Sequence, residues 1–215
     1  MLDIKEFNPN PLDYDKLSRD CVKQLMKSGP YRLPLSDRFL GAGVYALFYK
    51  GHFSPYSSIS SEDALRPIYV GSAQLSGTRK GRVIGAKQEG TSLYNRIGQH
   101  LKSIKAVSNL NTDDFVCRFL VVTPLWITMV EKLLIDFYHP IWNSCLDGFG
   151  NHNPGKGRHK GEITWWDAMH PGRSWSSKLR QVKTQKMAIQ RLDDFFAGKA
   201  SAKLDEETEI EQAEI

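Results

Sequence analysis

The sequence predicts an α/β protein of the α+β kind: a small three-stranded sheet, mixed or antiparallel, flanked by helices. Two observations carry this. Three short runs, GVYALFY (43–49), PIYVG (67–71) and FVCRFLVV (115–122), are rich in β-branched and aromatic residues and bounded by turn or polar stretches. Around them lie segments whose apolar residues recur at helical spacing. The order is α, β, β, α, β, α, then a loop and further helix, the pattern of one sheet with helices packed on it. At 215 residues the chain has room for one core with extensions.

Residues 1–12 read as a loose lead-in. Asp13 to Lys27 places Leu17, Cys21, Val22, Leu25 and Met26 on one helical face, and Ser28-Gly29-Pro30 stops the helix. With the proline-punctuated connector that follows, residues 1–37 form an N-terminal helical extension. The first strand run comes next. Lys50 to Arg66, with five serines, is a loop; the second run then ends at Gly71. Ser72 to Gly90 carries four glycines and four basic residues and is a long basic loop. Thr91 or Ser92 caps a helix running to about Val107. After the third strand run, Pro124 sits where a helix starts, Trp126 to Tyr138 continues it, and Pro140 ends it. Asp147 to Gly161 (DGFGNHNPGKGRHKG) is a glycine-rich basic loop. Ser174 to Phe196 has helical spacing. The expected division is a central domain at 38–175, a C-terminal helix at 176–203, and an acidic, disordered tail at 204–215.

Charge is uneven. The net charge is +5, but the tail holds six acids and no base. That leaves 29 basic against 18 acidic residues, +11, on residues 1–203. Such a body suits a polyanion, most often nucleic acid, or simply serves solubility. No apolar run reaches the length of a membrane span, and the polar, acidic N-terminus is unlike a secretory signal. Cys21, Cys117 and Cys145, odd in number and widely spaced, fit a reducing cytoplasm better than a disulfide framework. Cys145 with His152 and His159 matches no compact zinc spacing.

Four pieces carry possible chemistry: Gly43-Val44-Tyr45; Tyr69-Val70-Gly71; Arg96 with His100, four apart and so on one helix face; and Glu131, which falls in the apolar stripe with Ile127, Leu134, Ile135 and Tyr138. Each has a plain structural use. The tyrosines can pack, Arg96 and His100 can line a solvated face, and Glu131 can pair with a base. A carboxylate in an apolar stripe must be paired or bind a metal. Together, a phenol, an imidazole, a guanidinium and a carboxylate are the parts that hydrolyse a phosphodiester.

These pieces, in the order GAGVYALFY, IYVGSA, LYNRIGQH, VEKLLI and PIWNSCLDGFGNHNPGKGR, resemble the GIY-YIG nucleases, and most closely their type II restriction endonuclease branch. The resemblance covers roughly residues 38–175. It implies the GIY-YIG fold, here with long basic loop insertions, and a catalytic set of Tyr45, Tyr69, Arg96, His100 and Glu131. Tyr45 would act as general base or relay a proton to it, since a phenol with a pKa near 10 needs help at neutral pH. His100 would accept or orient that proton. Tyr69 would position water or phosphate, Arg96 would stabilise the developing charge, and Glu131 would ligate Mg²⁺. Asn143 contacts phosphate, supports the site or caps a loop. The signature departs from the common form in carrying valine at 44 and 70, a longer gap from Gly71 to Arg96, and histidine at 100 where many relatives carry tyrosine.

Phosphate contacts position a nuclease, and base-edge contacts specify its site. The candidates are Arg79, Lys80, Arg82 and Lys87 in the first basic loop, and Asn151, His152, Asn153, Lys156, Arg158, His159 and Lys160 in the second. Arginine to guanine and asparagine to adenine are the preferred pairs. The expectation is a cytoplasmic, Mg²⁺-dependent, site-specific type II enzyme cutting both strands of a short, GC-rich palindrome in double-stranded DNA. One site per chain calls for a homodimer on the DNA, and the resemblance implies a DNA methyltransferase as functional partner. The alternatives are another GIY-YIG nuclease, homing or repair, or a non-catalytic DNA-binding protein.

Overall fold

The computed structural model describes residues 13–75, 90–153, 155 and 160–199. Four strands, β1 (Tyr31–Arg32), β2 (Gly43–Tyr49), β3 (Pro67–Ala73) and β4 (Phe115–Val121), form one antiparallel sheet in the order β1-β4-β2-β3. β2 lies inside the sheet and every one of its residues is buried. β3 is an edge strand.

Alternation along β2 divides the core in two. Tyr45, Leu47 and Tyr49 face a helix, α2 (Ser92–Lys105), through Leu93, Ile97, Leu101 and Ile104. The same cluster takes in Trp142 of α4 (Ile141–Ser144), Trp166 of α5 (Trp165–Met169) and Leu192 of α6 (Gln185–Phe196). Val44, Ala46 and Phe48 face the other way, onto Leu25 of α1 (Tyr14–Lys27) and Ile127, Val130 and Leu134 of α3 (Ile127–Tyr138). The sheet thus sits between two helical layers.

The local signals explain most boundaries. Asp13 caps α1, its carboxylate accepting the Lys16 N–H at 2.8 Å. Buried Arg118 of β4 donates to the carbonyls of Met26 and Ser28 at the C-terminal end of α1, tying that helix to the sheet. Thr91 precedes α2 but does not cap it; its hydroxyl takes Arg38 and Asn95 instead. His139, in the left-handed region at φ 45°, ends α3 before Pro140. Gly43 lies so close to β4 that a β-carbon there would strike the Leu120 carbonyl.

Two further expectations change. The sheet has a fourth strand: Tyr31 and Arg32 pair with Cys117 and Val116 inside the stretch read as a connector. The C-terminal helix begins only at Gln185, not at 174 or 176. The intervening chain makes only a short 3-10 turn at Ser176–Lys178; the Arg180 N–H then donates to the Gly161 carbonyl, the Arg180 carbonyl accepts the Ile163 N–H, and Leu179 is buried against Ile163. Thr184 then caps the helix through the Met187 N–H. The acidic tail at 204–215 lies outside the described residues.

Candidate active site

Strand register places the two tyrosines. Tyr45 pairs with Gly71 and Leu47 with Tyr69, so both phenols lie on the α2 face, ring centroids 6.2 Å apart. Gly71 makes this possible. A β-carbon there would sit 2.5 Å from the Tyr45 hydroxyl oxygen and 2.8 Å from the Tyr69 ring.

α2 crosses this face and, as the i, i+4 spacing predicts, turns Arg96 and His100 to the same place. The Tyr45 hydroxyl is hydrogen-bonded to His100 Nε2, and the His100 ring lies 5.0 Å from that of Tyr69. Both partners are buried: Tyr45 is 0% and His100 3% exposed. Burial, with a smaller push from Tyr69, raises the Tyr45 pKa well above the ordinary phenol value; Arg96 opposes the shift. Burial, followed by the charges of Arg96, His152 and Arg173, holds His100 well below the ordinary imidazole value. Near neutral pH the pair is therefore a protonated phenol donating to an unprotonated imidazole nitrogen. Tyr69 is also raised by burial and lowered by Arg96, but it is only partly buried and stands nearer the opening.

Glu131 comes from α3, in the opposite helical layer, and meets the site at the free edge of β3. Its Oε2 accepts from the Ser72 hydroxyl at 2.7 Å. Burial raises its pKa, while the Ser72 side chain, Arg96 and the Ser72 backbone N–H pull it down. Its charge also bears on both phenols. One step along the edge, Asn143 of α4 accepts the Val70 N–H at 2.8 Å and donates to the Val70 carbonyl at 2.9 Å. Asn143 thus stands in for a missing strand. Of its expected uses, support of the site is the one its two bonds fill.

The glycine-rich loop also closes the site, a role beyond the DNA contact expected of it. Phe149 stacks on His100, centroids 4.5 Å apart, and stands edge-on to Tyr69 at 4.9 Å. Arg96 donates from Nη2 to the Gly150 carbonyl at 3.2 Å, and from Nη1 to Gln99 Oε1 at 3.1 Å and His152 Nε2 at 2.8 Å. His152, expected at the DNA, therefore lies on the guanidinium. Asn151, His152 and Asn153 line an open cleft of about 410 Å³ with Glu162, Thr164 and Trp175. Asn151, His152, Asn153 and Lys160 are exposed. Arg79, Lys80, Arg82, Lys87, Lys156, Arg158 and His159 lie outside the described residues.

Among the described residues no three His, Cys, Asp or Glu side chains gather into a metal cage. Glu131 alone still suits Mg²⁺, which commonly takes one or two protein carboxylates and fills its other positions with phosphate oxygens and water. Ser72 holds the carboxylate in place.

Two phenols, an imidazole, a guanidinium and a carboxylate, gathered at one edge of an antiparallel sheet between helices, define a protein of the GIY-YIG class. The family model described as the Eco29kI GIY-YIG domain matches residues 37–194, and the chain belongs to that restriction endonuclease family of DNA-hydrolysing nucleases. None of the curated proteins matches the chain. No helix among the described residues is long and apolar enough to cross a membrane.

Proposed function

We propose that the protein is a site-specific type II restriction endonuclease. It cuts both strands of double-stranded DNA at a short palindrome, working as a homodimer in the cytoplasm beside a DNA methyltransferase that protects the host sites. The observation that supports this best is the meeting of Tyr45, Tyr69, Arg96, His100 and Glu131 at the β3 edge, although they come from four elements and both helical layers.

Arg96 binds the non-bridging oxygens of the scissile phosphate and stabilises the charge that develops on them. Tyr69, the outer phenol, positions the attacking water. Its proton passes through Tyr45 to His100, so neither phenol needs to rest as a phenolate. At rest the transfer is uphill, because burial and Arg96 both disfavour an imidazolium at His100. A bound phosphate offsets the Arg96 charge and raises the proton affinity of His100. Substrate thus prepares the base. Glu131 would hold Mg²⁺, which when bound supplies positive charge beside the phosphate and leaving oxygen. Asn151 and His152, exposed at the cleft, face the duplex, and a GC-rich site suits the arginines that the sequence of the two basic loops supplies.

The test is plasmid cleavage in Mg²⁺ by the wild type and by Glu131→Gln. Discrete fragments from the wild type and none from the variant are expected. Cutting only at branched DNA, or tight binding without cutting by the wild type, would refute the restriction reading.

A further inference from the structure

Arg173 lies outside the reacting set, yet it is 5% exposed and every one of its five N–H donors is used. Nε and Nη2 form a fork with the two carboxylate oxygens of Asp167, both at 2.6 Å. The remaining three hydrogens go to backbone carbonyls: Nη2 to Gly148 at 2.9 Å, and Nη1 to Phe149 and Asn151, each at 3.2 Å. The guanidinium is held between the rings of Trp166 and Trp175, 4.5 Å from each centroid. Asp167 is fixed in turn by the Thr164 hydroxyl, which donates to Oδ2 at 2.7 Å and accepts the Asp167 N–H at the start of α5. Gly148 packs so tightly on Thr164 that no β-carbon fits there.

The three carbonyls belong to the segment that touches the reacting groups. Phe149 covers His100, the Gly150 carbonyl and His152 hold Arg96, and a β-carbon at Gly150 would sit 3.0 Å from the Tyr69 hydroxyl. We infer that Arg173, locked to Asp167, is a positioning residue: it sets the 148–152 segment and, through it, the aim of the Arg96 guanidinium at the scissile phosphate. This rests on the nuclease reading above. Lysine cannot replace it. An ammonium has three donors and no planar fork, so it cannot hold Asp167 and three carbonyls together.

The experiment uses Arg173→Lys in the full chain, alone and in an Arg96→Lys background. With cleavable DNA and Mg²⁺, the single variant is expected to lose at least tenfold in kcat. KM should stay within threefold of wild type, and the melting point above the assay temperature. In the Arg96→Lys background the same change should cost less than twofold, because the group being aimed is already altered. Hydrogen exchange over residues 147–153 should quicken about tenfold while α2 keeps its protection. Cleavage within twofold of wild type, an equal loss in both backgrounds, or unchanged exchange in the loop would each overturn the inference. Should Arg173→Lys not fold, Asp167→Asn weakens the same fork and is read the same way. A wild type that cuts no DNA would fail the nuclease reading instead, and loop exchange would then decide the clamp by itself.

Discussion

Replacing Gly71 with alanine adds a single methyl group at the point where the two phenols converge. The new β-carbon would lie 2.5 Å from the Tyr45 hydroxyl oxygen and 2.8 Å from both Tyr45 Cζ and Tyr69 Cε1. Ordinary contact needs about 3.4 Å or more, so the phenols must retreat by roughly 1 Å. Tyr45 has little room to yield: it is wholly buried and hydrogen-bonded to His100. Overpacking of this kind costs about 1–3 kcal/mol of stability. A shift of about 1 Å in a positioning group costs on the order of 100-fold in rate. Gly71→Ala is therefore expected to fold with a lowered melting point and to cleave about 100-fold more slowly in single-turnover assays, with DNA affinity kept within threefold. Wild-type cleavage by a folded Gly71→Ala protein would refute the placement of the proton path beside this glycine.

Stability should fall with acid in a definite window. Burial, with Arg173 nearby, takes the His170 pKa down to about 3, and His100 shifts the same way. The unfolded chain binds protons near pH 6.5 that the folded one refuses, so stability is full above that pH and declines below it. Going from pH 8 to pH 5, His170 alone costs about 2 kcal/mol; urea melts at the two pH values check this, and equal midpoints would refute it. Asn143→Ala leaves both polar groups of Val70 open and is expected to cost about 1–3 kcal/mol with little change in DNA affinity. A tenfold loss of affinity at an unchanged melting point would return Asn143 to the DNA. Glu131→Gln keeps an acceptor for Ser72 and should melt within about 1 kcal/mol of wild type, whereas Glu131→Ala should melt lower.

How far the sequence could be read depends on where each signal resides. β2, β3 and β4 carry their own apolar and aromatic runs, and α2 presents Arg96 and His100 by spacing alone. β1 could not be seen: two residues flanked by prolines have no period, and pairing with β4 makes them a strand. The chain from 174 to 184 has helical spacing but loses to the backbone bonds of Arg180 with Gly161 and Ile163. Phe149 between two glycines was the one local hint of the closing loop. Arg173 gave none, since a basic residue in a chain with 29 of them reads as surface charge. Its use follows from a partner six residues away and carbonyls more than twenty away, contacts that only the folded chain makes.

The edge of β3 accounts for why groups from both helical layers can meet. A strand buried on both faces separates what lies above it from what lies below, and the α1/α3 layer could never reach Tyr45 through β2. At the free edge the outward backbone of Val70 and Ser72 needs polar partners, because unsatisfied edge groups invite pairing with other chains. Asn143 meets that need with an amide, Glu131 with a carboxylate. A neutral side chain would have closed the edge as well at Ser72 as it does at Val70. The carboxylate instead keeps a negative charge, part-buried and within reach of Arg96, where stability alone gives little reason for one. That surplus fits the proposed hydrolytic role, in which a fixed carboxylate beside Arg96 would serve as the ligand for a cation at the DNA phosphate.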